Sequence, residues 1–314
     1  MRFFRFFQDR RPLAAAVIGL LLGPAIVAAY LGRGRMAIAY LLVTNLVGFL
    51  VILAMPQLAL AAAAGLVAVP FNLIGCVHGY WLTRRGGAAW QHRWFARWYN
   101  IALVFWLLPI AVAFFIRAFI VQPFSIPSSS MMPTLMPGSY AFVTKFNYGY
   151  GRYSFPFRPD WLPPKLFGSK PQRGDVVILA PPATPNVDYA KRVIGLPGDR
   201  IQMKNGIVFI NGKAVPRYAE GTIVTNYSLD RGEFPVFGEV LDNGVRYRTL
   251  DESPNSRGDN TGEYSVPAGY YFVLGDNRDN SNDSRFDIGF VPEANIYGMV
   301  WLVFRSEEGW SFVH

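Results

Sequence analysis

The sequence predicts a multi-span α-helical membrane region followed by a mainly β exported domain. Residues 13–121 are dominated by Ala, Leu, Val, Ile and Phe in runs close to the roughly 20 residues a helix needs to cross a bilayer. From Pro123 onward Gly, Pro, Asp and Asn punctuate short, often alternating apolar runs, the pattern of strands and turns. Arginines then orient the two parts, because they cluster beside particular apolar runs. A chain of 314 residues holds about two domains, bounded here at 1–122 and 123–314.

Four apolar segments are expected in the first part, at 13–31, 36–55, 58–82 and 100–120. The first contains Gly23-Pro24, a pair that interrupts a helix, and both of its flanks, "QDRRP" and "LGRGR", are basic. Both ends therefore favour the cytoplasm, and the segment reads equally as a re-entrant or kinked hairpin and as a span. The opening "MRFFRFFQDRR" is read as a retained anchor, since no small-residue cleavage site precedes a further long apolar run. "TRRGGAAWQHRWFARW" (83–98) carries four arginines and several tryptophans suited to the interfacial belt, so it is expected in the cytoplasm, and the segment from Asn100 then runs outward. Arg117, near its outer end, can snorkel to the headgroups. Cys76 lies within an apolar segment and is the only cysteine, so no disulfide is expected.

The formal charge of +9 does not imply nucleic acid, because many arginines flank apolar segments, where they set topology and meet anionic lipid. In the exported part, strands are expected at 139–146, 175–180, 200–215 and 270–276. "KNG" and "INGK" mark hairpin turns, since Asn-Gly accepts positive φ. Residues 202–265 read as a hairpin-rich insertion.

The chemistry is limited by histidine. His78 and His92 lie in or beside the membrane part, and the third and last histidine is the terminal His314. A Ser-His-Asp arrangement and a His-bearing metal site are therefore not expected, nor is any cofactor. A lysine becomes a base when burial disfavours its charged form, and Lys191 in "DYAKRVIGLPGD" stands among Tyr189, Ala190, Val193 and Ile194.

"PSSSMMPTL" (127–135), "RGDVV", "DYAKRVIGLPGD" (188–199) and "GDNRDNSNDSR" follow one another after an outward-running segment. In that order they resemble the type I signal peptidases of bacteria, over about residues 117–303. The resemblance implies a serine endopeptidase of the signal-peptidase fold that removes signal peptides from exported preproteins at the outer face of the cytoplasmic membrane. Its nucleophile would be Ser130 and its general base Lys191. Ser128 and the Ser130 N–H would form the oxyanion hole, Ser281 would orient the lysine, and Asp276, Arg192, Asp283 and Arg285 would brace the site. Substrate contacts are expected from Phe124, Ile126, Pro127, Met131, Leu135, Asp188, Tyr189 and Ala190.

Two positions depart from the family: Ala190 replaces a bulky aliphatic residue, and Ser129 a smaller one. Expected partners are signal peptides, membrane lipids and the secretion machinery, and not nucleic acid. The aromatic and basic segment 146–167 reads equally as dipping into the lipid interface and as a loop packed on the domain. A self-cleaving repressor with the same Ser/Lys pair would need a DNA-binding head, and a non-catalytic membrane-anchored β module would not need nucleophile, base and orienting serine together.

Overall fold

The computed structural model describes residues 12–54, 60–85, 97, 100–101, 103, 107–155, 158–163, 165–225, 232–253, 255–305 and 309–313. His92, His314 and most of the basic stretch 83–98 lie outside them. The chain divides into two compact units, Met1–Ala113 and Phe114–His314.

In the first unit, α1 (Pro12–Leu22) and α2 (Pro24–Tyr30) are parted by Gly23, whose φ of 88° lies in the region glycine favours. The helices α3 (Gly34–Ala54) and α4 (Leu60–Arg85) follow. A β-carbon added at Gly75 of α4 would lie 2.7 Å from Pro24 N and 2.8 Å from Gly19 O, and one at Gly79 would lie 2.9 Å from a Val27 methyl and 3.0 Å from Ala15 O. Residues of both arms thus lie level with one another along α4. The first apolar segment is therefore a helical hairpin with its turn at Gly23. Small residues let the backbones approach this closely, the usual means of helix association in lipid. Both open ends of the hairpin, at Ala15 and at Leu31, cluster with Leu82 near the arginine-bearing end of α4.

Among the described residues one helix, Gly65–Arg85, is long and apolar enough to cross a membrane. Pro12–Leu22, Gly34–Gly48 and Ile110–Ile120 are apolar but shorter. Of the four expected segments, the described residues thus give one helix that passes on both length and apolarity and, at 13–31, a hairpin.

The second unit continues from α5 (Leu108–Phe115) through a π-helical turn, Ile116–Ile120, into β1 (Val121–Ser125). Its main sheet is antiparallel, in the order β1, β2 (Tyr140–Thr144), β14 (Ile296–Arg305), β3 (Val176–Leu179), β4 (Tyr189–Gly195), β12 (Tyr270–Leu274), β13 (Val291–Pro292), with β15 (Gly309–Phe312) also paired to β14. A second sheet joins β5 (Arg200–Lys204), β6 (Ile207–Ile210), β7 (Lys213–Ala214) and β11 (Tyr264–Ser265), and a third joins β8 (Arg217–Thr225), β9 (Gly232–Val240) and β10 (Arg246–Leu250). The four expected strand regions all hold strands. The two Asn-Gly turns also appear, with Asn205 and Asn211 at φ of 49° and 53°. β1, β4, β13, β14 and β15 were not anticipated. β14 is the longest strand and pairs with three others, yet two register shifts interrupt the simple alternation that would betray it.

Close packing along α4 is testable with two glycines. Gly75→Leu is expected to lower the thermal unfolding midpoint of the full chain in detergent, whereas Gly65→Leu, where an added β-carbon meets nothing within 4 Å among the described residues, should leave it nearly unchanged. Equal effects would contradict the hairpin packing.

Candidate active site

The loop after β1 carries Ser130, and burial of its neighbours explains why it holds one shape. Met131 and Leu135 enter the cluster of Ile126, Ala141, Val143 and Val176, while Met132 enters another with Phe234, Val236 and Leu250. Burying each such side chain is worth roughly 1.5–3 kcal/mol, so the adjacent methionines fasten the loop to two clusters. Backbone bonds close it, Ile126 N to Ser139 O at 2.9 Å and Leu135 N to Met131 O at 2.8 Å. Asn277 N donates to Ser130 O at 3.1 Å, which ties the loop to the segment after β12.

Lys191 comes from the neighbouring β4, with Val177 of β3 as its register partner. Its side chain is 1% exposed, and Nζ donates to Ser130 Oγ at 2.8 Å. Burial is the main cause that lowers its pKa to about 8, with Arg285 acting in the same direction and Asp283 and Asp276 opposing. Those carboxylates already have partners. Asp276 receives Arg192 Nε at 2.8 Å and Nη2 at 2.7 Å, and Thr134 Oγ1 at 2.5 Å. Asp283 receives Arg285 Nε and Nη2, both at 2.9 Å, and Gly275 N at 3.0 Å. A further buried pair, Arg278 with Glu239 at 2.6 Å, includes Tyr247 OH on the same carboxylate, and the Tyr247 ring lies 4.2 Å from the Arg192 guanidinium.

Beside this pair opens a cleft of about 410 Å³. One wall is Phe124 to Pro127, the other Val187 to Ala190, and Ser128 to Met131, Lys191, Asn280 and Asn282 complete it. The exposed Ser128 Oγ stands 3.3 Å from Ser130 Oγ. A hydroxyl beside a buried amine, at the base of a groove with a second hydroxyl alongside, can attack a carbonyl and stabilise the resulting oxyanion.

The family described as signal peptidase, peptidase S26, matches residues 98–305. The chain belongs to this family. Signal peptidase I of Rickettsia typhi is 41% identical over 206 residues, covering 63% of this chain and 76% of that protein. That of Rickettsia akari is 40% identical over 218 residues, covering 67% and 79%. A solved signal peptidase I from Enterococcus faecalis is 28% identical, with coverage of 42% of this chain and 97% of that one and a TM-score of 0.26.

The fold brings together most of the residues that the resemblance to signal peptidases singled out. Two do not make the contacts expected of them. Leu135 does not line the cleft, because it faces the core and is fully buried there. Ser281 makes no hydrogen bond to Lys191, and its buried Oγ has no partner, being directed against Gly275, where an added β-carbon would collide with it. Sequence reasoning missed Asn280, whose Nδ2 donates to Ser129 Oγ at 2.9 Å, and Asn282 on the cleft rim. It also missed a second buried lysine. Burial, then Arg117, lowers the Lys145 pKa to about 8 against Asp188, but Lys145 Nζ donates to the Ser154 carbonyl and does not line the cleft. Only position separates the two lysines.

Asp276→Ala would leave the Arg192 guanidinium buried without its carboxylate, and is expected to cost about 3–5 kcal/mol in urea unfolding of the full chain. Asp160→Ala, which breaks an exposed pair with Arg152, should cost no more than about 1 kcal/mol. Similar losses at both positions would contradict the bracing role.

Proposed function

We propose that the protein is a signal peptidase, a serine endopeptidase that cuts signal peptides from exported preproteins through a Ser130 nucleophile and a Lys191 general base. The observation that carries this reading is the 2.8 Å contact between Ser130 Oγ and a buried lysine amine. When the amine is neutral its lone pair takes the Ser130 proton as Oγ attacks the scissile carbonyl. The Ser128 hydroxyl and the Ser130 N–H meet the oxyanion, an interaction that is worth most in the tetrahedral state. The resulting Lys191 ammonium returns the proton to the leaving amine. Neutral again, it draws a proton from the water that attacks the acyl-serine and passes it to Ser130 Oγ as the ester bond breaks, which restores both groups. Asp276, Arg192, Asp283 and Arg285 brace the surroundings. A non-catalytic module for binding exported segments has no need of a buried lysine on a serine hydroxyl.

The membrane arrangement belongs to the same proposal. The hairpin ends and Arg84 and Arg85 share one end of α4, which favours the cytoplasm for that end and makes the chain a multi-pass protein of the inner membrane. The catalytic domain then works on the outer face, where the secretion machinery delivers preproteins. In the segment 146–167, Trp161 and Phe167 are strongly exposed, which suits the lipid interface.

The two buried lysines test the mechanism against each other. Lys191→Met is expected to abolish cleavage of a preprotein, and Lys145→Met to retain it. Because the neutral amine is the active form and its pKa is depressed, kcat/KM should rise with pH to half its plateau near pH 8. An unperturbed lysine would place that limb near about 10.4. Cleavage by Lys191→Met, or a limb at the ordinary lysine value, would refute the base.

For the oxyanion donor, Ser128→Ala is expected to lower kcat about a hundredfold or more with little change in KM. An unchanged kcat would exclude the hydroxyl from the transition state.

A further inference from the structure

Asp188 stands on the cleft wall immediately before Tyr189 and Ala190, and its carboxylate is only partly covered. An uncompensated carboxylate there would attract basic side chains into the groove. It is compensated from a distant part of the chain. Arg158 Nη2 lies 2.6 Å from Asp188 Oδ1, and Arg158 Nη1 donates to the Pro185 carbonyl, so one guanidinium holds both the charge and the backbone of this wall. The Tyr297 hydroxyl adds a further hydrogen bond to Asp188, and its ring stacks on Tyr153, which in turn lies 5.6 Å from the Arg158 guanidinium. Arg158 itself has a φ of 42°, uncommon for a residue with a side chain. Lys145 also feels the Asp188 charge, but its amine is directed at the Ser154 carbonyl.

We infer that Arg158 is a specificity-determining residue: by neutralising Asp188 it keeps the cleft wall without net charge, so that the groove disfavours neither acidic nor basic side chains by its own charge and gains no preference for basic ones before the cut. The inference rests on the reading of this cleft as the substrate groove. It distinguishes Arg158 from a merely structural brace, because removing either member of the pair must shift charge preference in opposite directions.

The test uses the full chain in detergent and a peptide with Ala at the five positions before the cut, together with variants bearing a single Lys or Glu at each. The readout is the ratio of kcat/KM for Lys to that for Glu at each position. Arg158→Gln keeps a donor for Pro185 while removing the charge, and should raise this ratio about threefold to fivefold at one or more positions, the scale of a partly exposed charge pair. Asp188→Asn should lower it. The double variant Arg158→Gln/Asp188→Asn should return to the parent ratio, and about 1 M salt should suppress both single effects. An unchanged ratio in Arg158→Gln, or a shift that persists in the double variant, would overturn the inference. Failure of the parent protein to cut the all-Ala peptide, or cutting by Ser130→Ala, would instead refute the underlying functional reading.

Discussion

The site depends on keeping one ammonium out of water. A lysine surrounded by protein loses much of the hydration that favours its charge, and its pKa falls unless a carboxylate compensates. Around Lys191 two carboxylates are near enough to compensate, Asp276 and Asp283, and each is engaged by an arginine instead. The bracing pairs thus do more than hold the loop. They leave the lysine with a serine hydroxyl as its partner rather than an ion. The same arrangement explains why those arginines are buried: a guanidinium stays charged where an amine does not, so it can neutralise a carboxylate permanently.

The contrast with Lys145 shows how little a depressed pKa decides alone. Both amines are buried and both are shifted to about 8. One meets a backbone carbonyl, the other a hydroxyl at the base of a cleft. The Met131-Met132 pair makes that difference by fastening the Ser130 loop to two apolar clusters.

Much of this was legible in the sequence, for identifiable reasons. The chemistry-bearing residues lie in short contiguous motifs, and Asn-Gly turns and apolar runs announce the strands of the exported domain. What was not legible involves side chains meeting across long separations, such as Arg158 with Asp188, Asn280 with Ser129, and Tyr297 with Asp188. No local pattern encodes those contacts. The first apolar segment illustrates the limit from the other side. Gly23-Pro24 announced a break, but whether the chain turns back depended on Gly19 meeting Gly75, and Ala15 and Val27 meeting Gly79, in space. Ser281 shows that motif position does not fix a hydroxyl's partner, since its buried Oγ lies against Gly275 without a hydrogen bond among the described residues.

The central claim is that burial leaves the Lys191 amine substantially neutral at working pH. Lysine side chains labelled with 13C next to the amine, followed by NMR across pH in the full-length protein in detergent, measure this without any turnover. Two signals should titrate near pH 8, one absent from the Lys145→Met protein and the other from the Lys191→Met protein. A Lys191 signal that titrates near about 10.4, with the solvent-exposed lysines, would contradict the account.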